Sequence, residues 1–332
     1  MATISLCMIV KNEERVLKRC LDSIHDLVDE IIIVDTGSTD STKQIARAYT
    51  DKVYDFEWID DFSAARNFSF SKCSMEYIYV ADADEYLDDS NRFQFRILKE
   101  VLYPEVEIVQ MMYETISHDT VLNIKKEYRP KLFKRLREFT WINPVHETVR
   151  LDPIVFDSDI VITHAPESNH ARRDFSIFEK TIASDGELSP ELIKMYAAEL
   201  YKNGDKESFD AAHNFFKNVN NEYGAIIIAK WLRLNAASEF EQYANEFRNI
   251  SEVCFELGEY YLSKSNYKSA YEAFNNALSM ECFVDIHKTG DHALEKLIIC
   301  CKELIKSDSA YEKPMAEYQT ILSNWQMPEE SL

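Results

Sequence analysis

The sequence predicts an α/β domain with a mostly parallel sheet, followed by an all-α domain. Strand and helix patterns alternate through about the first ninety residues, and nearly every segment after about Asp174 has helical periodicity. A chain of 332 residues suits two hydrophobic cores better than one. Pro166, Ser168 and Asn169 interrupt the pattern between the two parts. We therefore predict one domain over residues 1–170 and a second over residues 171–332.

Four short apolar runs have the length expected of strands buried on both faces, at residues 4–10, 30–34, 52–56 and 77–80. Helical patterns separate them, at residues 11–25, from Asp40 or Ser41 to about Tyr49, and at 64–73. Such repetition predicts a parallel sheet whose ligands bind at the carboxyl ends of the strands. Residues 106–161 have the pattern of short strands and turns, which predicts a smaller, partly antiparallel extension that carries part of the site.

The composition argues against several classes of protein. With 37 basic and 58 acidic residues the formal net charge is −21, which opposes non-specific binding to nucleic acid or to an anionic membrane. The apolar runs are too short for a transmembrane segment, and the N-terminus lacks the layout of a signal peptide. The seven cysteines include no Cys-x-x-Cys pair, as expected of free, buried thiols in a reducing compartment. We therefore predict a cytoplasmic protein.

An acidic pair follows the fourth strand. Asp82 and Asp84 flank a small residue, and on an extended backbone residues i and i+2 point to the same side. Carboxylate oxygens suit Mg²⁺ or Mn²⁺, and such a cation would hold a diphosphate and neutralise charge on a departing nucleotide. A solvated acidic turn is the commoner explanation of an isolated Asp-x-Asp. The position of Asp82 and Asp84 directly after a buried strand favours the metal site.

The helical part contains a more specific pattern. Six residues have the spacing of a tetratricopeptide repeat, a helix pair that packs small residues against large ones: Leu257, Gly258, Tyr261, Ala270, Phe274 and Ala277. Residues 197–219 are a weaker relative, and a plain helical bundle is the alternative. Grooves of such repeats bind extended peptides, which favours a peptide or protein partner.

Several segments, in order, resemble family 2 glycosyltransferases: residues 5–14, 33–42, 62–67 and 82–85. Residues 141–147 and 162–164 match a subgroup with tetratricopeptide-like helices, similar to bacterial peptide and protein glycosyltransferases that include bacteriocin S-glycosyltransferases. The resemblance implies a GT-A fold, which is Rossmann-like with a mostly parallel sheet. It also implies a nucleotide-sugar donor such as a UDP-sugar, a divalent Mn²⁺ or Mg²⁺ ion, and inversion at the anomeric carbon.

The resemblance also implies roles for individual residues on the donor side. Asp35 would contact the base or ribose, and Arg66 would reach the diphosphate. Thr36 stands where many members have a second acidic residue, which leaves the nucleobase contact open. The residues expected to line the nucleotide pocket are Val10, Asn12 and Glu14, and those expected at the ribose and metal are Asp82, Asp84 and His164, with Asp84 the more direct ligand.

Inversion requires a base that accepts the proton of the acceptor. Glu147 is the first candidate because it lies in the region expected to build the acceptor side, where Trp141 is close enough in sequence to stack on a sugar. His146 and Glu85 are the alternatives, and His146–Glu147 could instead be a structural pair. A cysteine acceptor would need less help from a base, since a thiol is partly ionised near neutral pH.

A basic cluster stands out in this acidic chain. It predicts either a loop that folds over the diphosphate or a solvated face, and its members are Lys125, Lys126, Arg129, Lys131, Lys134, Arg135 and Arg137.

We predict a metal-dependent inverting glycosyltransferase that moves a hexose or HexNAc from UDP to a peptide or protein side chain. A lipid-linked or cell-surface polysaccharide acceptor is the alternative, and the lack of a membrane-binding segment counts against it. The intact Asp82, Asp84, Arg66 and His164 count against a non-catalytic scaffold. The sequence leaves open whether the chain forms a homo-oligomer.

Overall fold

The computed structural model describes residues 1–115, 126–135, 141–142, 144–146, 148–149, 153–166 and 171–325. The described residues divide into two compact units, one up to residue 166 and one from residue 171 onward.

The first unit begins with alternating strands and helices: β1 (Ile4–Val10), α1 (Leu17–Ile24), β2 (Glu30–Asp35), α2 (Thr42–Arg47), β3 (Val53–Asp55), α3 (Phe62–Lys72) and β4 (Tyr77–Val80). It continues with β5 (Glu85–Tyr86), α4 (Asp89–Val101), β6 (Ile108–Thr115), β7 (Lys126–Lys134), β8 (Trp141–Ile142), β9 (Thr148–Val149) and β10 (Val155–His164). In the described residues, β8 and β9 form a small separate sheet.

The other eight described strands form one sheet in the order β3-β2-β1-β4-β7-β6-β10-β5. Strands β1 to β4 pair in parallel, and β10 pairs in parallel with β6. Strand β7 runs antiparallel to both β4 and β6, and β5 runs antiparallel to β10. The predicted α/β architecture with a mostly parallel sheet is therefore confirmed.

The segment at residues 106–161 is partly antiparallel, as predicted, but it does not form a smaller extension of its own. Strands β6, β7 and β10 are long and complete the main sheet. In β6, buried and half-buried positions alternate over much of the strand, so its sequence lacks the continuous apolar run of the first strands. A strand that is half polar gives a weaker signal than one buried on both faces.

Strand β1 explains why the first part of the sheet was predictable. Ile4, Leu6 and Met8 pack into the apolar cluster on one face, while Cys7 packs into the cluster on the other face with Ile32. A strand covered on both faces must be apolar at successive positions, and its sequence shows this.

The helix predicted from residue 11 begins only at Leu17. Asn12 has a left-handed backbone with φ of 57°, which is incompatible with a right-handed helix. The apolar periodicity starts at Val16, and the polar residues before it form a loop.

Glu30, at the start of β2, is a buried carboxylate with several donors. It accepts hydrogen bonds from the Ser5 hydroxyl and the Lys52 ammonium, and from the Ser74 amide and hydroxyl at 2.7 Å and 2.8 Å. Burial alone would raise the pKa of Glu30, but these hydrogen bonds outweigh it and lower the pKa from 4.5 to about 2.

Replacing Glu30 by glutamine is expected to lower the free energy of unfolding of this unit by about 2–3 kcal/mol at neutral pH. Because the folded pKa lies below the unfolded one, the stabilisation is complete above about pH 4.5 and is lost as the pH falls towards about 2. Urea-dependent hydrogen exchange of β1 and β2 peptides measures this unit alone. The exposed Glu57 provides the control Glu57→Gln. A destabilisation that stays constant from pH 7 to pH 3 would refute this account.

The second unit is all-helical in the described residues, as predicted. Its α-helices are α5 (Ala171–Asp185), α6 (Pro190–Asn203), α7 (Lys206–Phe216), α8 (Glu222–Leu234), α9 (Phe240–Glu246), α10 (Ser251–Ser263), α11 (Tyr267–Ser279), α12 (Ile286–Thr289), α13 (Asp291–Leu304) and α14 (Glu312–Ser323). A short 3₁₀ helix, Ser309–Tyr311, precedes α14.

Helices α10 and α11 form the pair that the repeat spacing predicts. Gly258 lies against the ring of Phe274, and a Cβ added at Gly258 would approach that ring to 2.6 Å. Only glycine allows this close contact of the two helices, which is the small-against-large packing of a tetratricopeptide-like pair. The predicted tetratricopeptide-like character is therefore confirmed.

All seven cysteines are free thiols, as predicted. Across the described residues, no helix has both the length and the apolar character needed to cross a membrane.

Candidate functional site

The predicted donor-side residues lie at one edge of the sheet. Strands β1, β2, β4 and β10 run in the same direction, so their carboxyl ends share this edge. Val10 and Asp35 end β1 and β2, Asp82 follows β4, and His164 ends β10. Chain direction therefore gathers residues up to 154 positions apart, from Val10 to His164.

Two loops at this edge, residues 11–14 and 36–42, are joined by mutual hydrogen bonds, and we call them the paired loops. The Asn12 amide donates to the Ser38 hydroxyl at 2.9 Å, and the Asn12 carbonyl oxygen Oδ1 accepts from the Thr39 amide at 2.8 Å. Glu14 accepts from the Ser41 amide at 3.1 Å. Asn12 and Glu14 thus support the loop opposite them, and their contact with a nucleotide stays a prediction.

Val10 and Thr36 connect the strands from which the paired loops start. The Val10 carbonyl accepts from the Thr36 amide at 3.0 Å and from the Thr36 hydroxyl at 3.2 Å. Val10 is buried, and its contact with a nucleotide stays a prediction. The hydroxyl of Thr36 is engaged inside the protein rather than directed at a ligand.

The two carboxylate oxygens of Asp35 differ in their hydrogen bonds. The side chain is fully buried, and Oδ1 accepts from the amides of Gly37 at 3.0 Å and Ser38 at 2.9 Å. The other oxygen, Oδ2, is buried and has no hydrogen-bond partner among the described residues. Buried acceptors without a partner are rare, so Oδ2 retains unused hydrogen-bonding capacity, and its contact with a nucleotide stays a prediction.

Arg66 and Asp82 meet across the site. Helix α3 begins at an N-cap in which the Asp61 carboxylate accepts from the Ala64 amide, and this helix holds Arg66 in a buried position. The Arg66 Nη2 atom lies 3.5 Å from Asp82 Oδ1. Burial would raise the pKa of Asp82, but Arg66 and then Lys131 outweigh it and lower that pKa. Asp82 is therefore ionised at neutral pH.

Asp84 and His164 form the second contact of the site. Asp84 Oδ2 lies 3.0 Å from His164 Nε2, and the imidazole lies against the ring of Tyr113, with 5.1 Å between ring centroids. The Thr115 hydroxyl lies 3.5 Å from the other ring nitrogen, Nδ1. Two residues that the sequence separates by 80 positions thus have side chains within hydrogen-bond distance.

The expectation that Asp82 and Asp84 project together from an extended backbone is wrong. The chain turns at these residues, and the Glu85 amide donates to the Asp82 carbonyl at 3.2 Å. As a result Asp82 contacts Arg66, while Asp84 contacts His164. Over the described ranges, no three His, Cys, Asp or Glu side chains lie close enough to hold a metal. A carboxylate–imidazole pair does fit Mg²⁺ or Mn²⁺ that takes its remaining ligands from phosphate and water.

Arg19 of α1 is a residue that the sequence did not indicate. Its Nη2 atom donates to the carbonyl of Asp84 at 3.1 Å and to that of Ala165 at 3.0 Å. Its guanidinium lies 4.9 Å from the ring centroid of Tyr86. Arg19 therefore joins the two segments that carry Asp84 and His164. No sequence signal separates it from its neighbour Lys18, which forms an exposed ion pair with Asp22.

The Glu85 carboxylate is paired inside the protein. Both Glu85 and Lys131 are buried, and the Lys131 ammonium donates to the two Glu85 oxygens at 2.6 Å and 2.8 Å. Lys131 reaches this place because β7 runs antiparallel to its neighbours. Arg129 of the same strand lies 3.7 Å from the ring centroid of Tyr113. Part of the predicted basic cluster is thus structural, while Lys125 and Arg137 lie outside the described residues.

On the acceptor side, Glu147 lies outside the described residues. His146 is described, with a left-handed φ of 49°. Its loop is attached to α3, since the Pro144 carbonyl accepts from the Phe62 amide at 2.8 Å. The same helix carries Arg66, so the loop of His146 is anchored to an element of the donor side.

The sequence of this chain is similar to one protein family and to several known proteins. The model of the family described as Glycosyl transferase family 2 matches residues 5–150. A TPR repeat-containing protein of Synechococcus elongatus is 36% identical over 161 residues, which are 45% of this chain and 36% of that protein. The SPbeta prophage-derived glycosyltransferase SunS of Bacillus subtilis is 27% identical over 241 residues, which are 66% of this chain and 54% of SunS.

The chain spans about a third and about half of the length of these two relatives. Among solved structures, glucosyl-3-phosphoglycerate synthase from Mycobacterium tuberculosis with Mn²⁺ and UDP-glucose is similar at 15% identity and a TM-score of 0.41, over 57% of this chain and 81% of that one. The family match covers strands β1 to β9 and all the predicted donor residues except His164. The first unit of this chain therefore contains a family 2 glycosyltransferase domain at residues 5–150.

Proposed function

We propose that this protein is a metal-dependent inverting glycosyltransferase that moves a sugar, a hexose or HexNAc, from a UDP donor to a side chain of a peptide or protein. The observation that carries the proposal is the contact of Asp84 with His164 beside the contact of Asp82 with Arg66. Together these pairs supply a carboxylate–imidazole ligand set and a guanidinium at the carboxyl edge of the sheet, where such folds bind nucleotides.

The donor would be held by residues with distinct tasks. The unpartnered Oδ2 of Asp35 accepts a hydrogen bond from an N–H of the base or a hydroxyl of the ribose. The paired loops fix the walls around it, and Asp82 hydrogen-bonds the ribose. Arg66 balances the negative charge of the diphosphate, which is the charge that grows as the nucleotide departs.

Asp84 and His164 would be the protein ligands of the divalent cation, with Arg19 keeping the two segments together. A cation bound there neutralises charge on the leaving nucleotide. On the opposite side of the sugar, Glu147 is proposed as the base that takes the acceptor proton, and His146 is the alternative. Glu85 is a weaker alternative, since its carboxylate is buried and bound by Lys131.

The acceptor class is supported by the second unit. Its α10–α11 pair has the packing of a tetratricopeptide-like repeat, and one relative is named a TPR repeat-containing protein. We propose that this unit recruits a polypeptide acceptor, and that its residues take no part in the transfer step itself.

The test is a transfer assay on the intact chain. The protein is incubated with Mn²⁺, a panel of UDP-sugars, and peptides that carry one serine, threonine or cysteine, and UDP release and peptide mass are followed. We expect transfer that EDTA abolishes and Mn²⁺ restores. Glu147→Gln should lower kcat on a hydroxyl acceptor while UDP affinity stays unchanged. Absence of Mn²⁺-dependent UDP binding would contradict the donor assignment, and transfer only to lipid-linked sugars would contradict the acceptor assignment.

A further inference from the structure

The second unit contains a cavity that the donor chemistry does not use. It has a volume of about 290 Å³ and lies among α8, α10, α12 and α13. Charged side chains dominate its lining, which consists of Lys230, Arg233, Phe255, Glu256, Glu259, Lys288, His292, Glu295 and Lys296. Four cations and three carboxylates face it, so with neutral histidine its wall carries one net positive charge. This contrasts with the formal charge of −21 for the whole chain.

Two of the cations already have carboxylate partners. Arg233 forms an ion pair with Glu256, which is buried and also accepts from the Tyr201 hydroxyl at 2.8 Å. Lys296 lies 2.7 Å from Glu259. Lys230 and Lys288 are the two cations outside these pairs. Together with the remaining carboxylate, Glu295, they give the cavity its one net positive charge.

Lys230 is half-buried and lies beside Tyr201. Its ammonium donates to the Tyr201 carbonyl and lies 4.2 Å from the centroid of the Tyr201 ring. Burial lowers the pKa of Lys230. Glu256 raises this pKa, whereas the cations Lys288 and Arg233 lower it, and the net shift is downward. Lys288 lies 5.5 Å from the ring centroid of Phe255, which gives the cavity an apolar wall beside its cations.

We infer that this cavity binds a carboxylate of an acidic peptide segment, with Lys230 and Lys288 as its counter-ions and Phe255 against the methylene groups. A volume of about 290 Å³ admits one or two residues of an extended chain. One net positive charge balances a monoanion, whereas the three carboxylates of the wall disfavour a phosphate dianion. The inference rests on the proposed function only in taking the occupant to be part of a polypeptide acceptor.

The test measures binding without donor or metal, so its outcome does not depend on transfer. A fluorescein-labelled glycine–serine peptide that ends in two glutamates is titrated with the intact protein and followed by fluorescence anisotropy. The matched peptide ends in two glutamines with an amidated C-terminus, and a third keeps the glutamates but is amidated. We expect binding of the acidic peptide, loss of binding for the neutral one, and about a tenfold weakening by Lys288→Gln.

The control variant Lys268→Gln removes the same charge from an exposed position on α11 and should bind like the unmodified protein. Lys230→Gln provides a second cavity variant if Lys288→Gln lowers the helical signal in circular dichroism. Equal binding of the acidic and neutral peptides, equal weakening by Lys268→Gln, or competition by inorganic phosphate at the peptide's own concentration would each overturn the inference. Acidic-peptide binding in a protein that glycosylates no peptide would refute the proposed acceptor and leave the cavity assignment intact.

Discussion

Replacing Asp84 by asparagine is expected to lower turnover by about 100- to 1,000-fold and to abolish the dependence of UDP binding on Mn²⁺. Asparagine keeps the size of the side chain but removes the negative charge beside His164. A neutral amide is a poor ligand for a hard divalent cation. UDP affinity, measured by calorimetry with and without Mn²⁺, separates loss of the cation from loss of the nucleotide pocket.

The matched control is Asp89→Asn, which makes the same change at an exposed position in the first turn of α4. It should leave both measurements unchanged. His164→Gln should give the same loss of Mn²⁺ dependence in a milder form, because the negatively charged carboxylate of Asp84 remains. If Asp84→Asn binds UDP with normal Mn²⁺ dependence, the cation lies elsewhere and the assignment of this pair is refuted.

Replacing Lys131 by methionine is expected to cost the first unit about 3–5 kcal/mol of unfolding free energy. Methionine fills a similar space, but it leaves the buried carboxylate of Glu85 without its counter-ion. Removing both charges in the double variant Glu85→Leu/Lys131→Met should recover most of the loss, since a buried ion pair contributes little net stability over apolar residues. Hydrogen exchange of β4 and β7 peptides in urea measures the effect.

Lys126→Met tests the same substitution on the same strand. Lys126 is 41% exposed and lies 3.5 Å from Glu114, so its loss should cost about 0–1 kcal/mol. A double variant no more stable than Lys131→Met would show that the loss comes from packing around Lys131 rather than from the isolated charge of Glu85.

The sequence predicted the strands that are buried on both faces and therefore apolar at successive positions. Strand β1 must be apolar on both faces, and β4 was predicted with its observed bounds for the same reason. The long strands β6 and β7 were not recognised, because half of their side chains are polar or half-buried. Their place in the main sheet depends on pairings between distant segments, which local periodicity does not encode.

The sequence indicated which candidate residues lie at one edge of the sheet better than how they are arranged there. The position of Asp84 after a buried strand indicated a ligand edge, and the family resemblance supplied His164, which β10 brings to within 3.0 Å. The turn that separates Asp82 from Asp84 was not predicted, since a short acidic segment has no pattern that distinguishes a turn from an extended strand. Arg19 was missed for a related reason: its role depends on two main-chain carbonyls, and carbonyls have no sequence signature.

The paired loops have a consequence for how mutations in this protein combine. Asn12 both donates to Ser38 and accepts from Thr39, so the two loops exchange hydrogen bonds in both directions. A substitution in one loop therefore changes the free-energy effect of a substitution in the other, although 26 positions separate Asn12 from Ser38. Effects of substitutions at such directly contacting positions do not add. The two segments consequently behave as a single epistatic unit, in which the tolerance of each residue depends on what occupies the opposite loop.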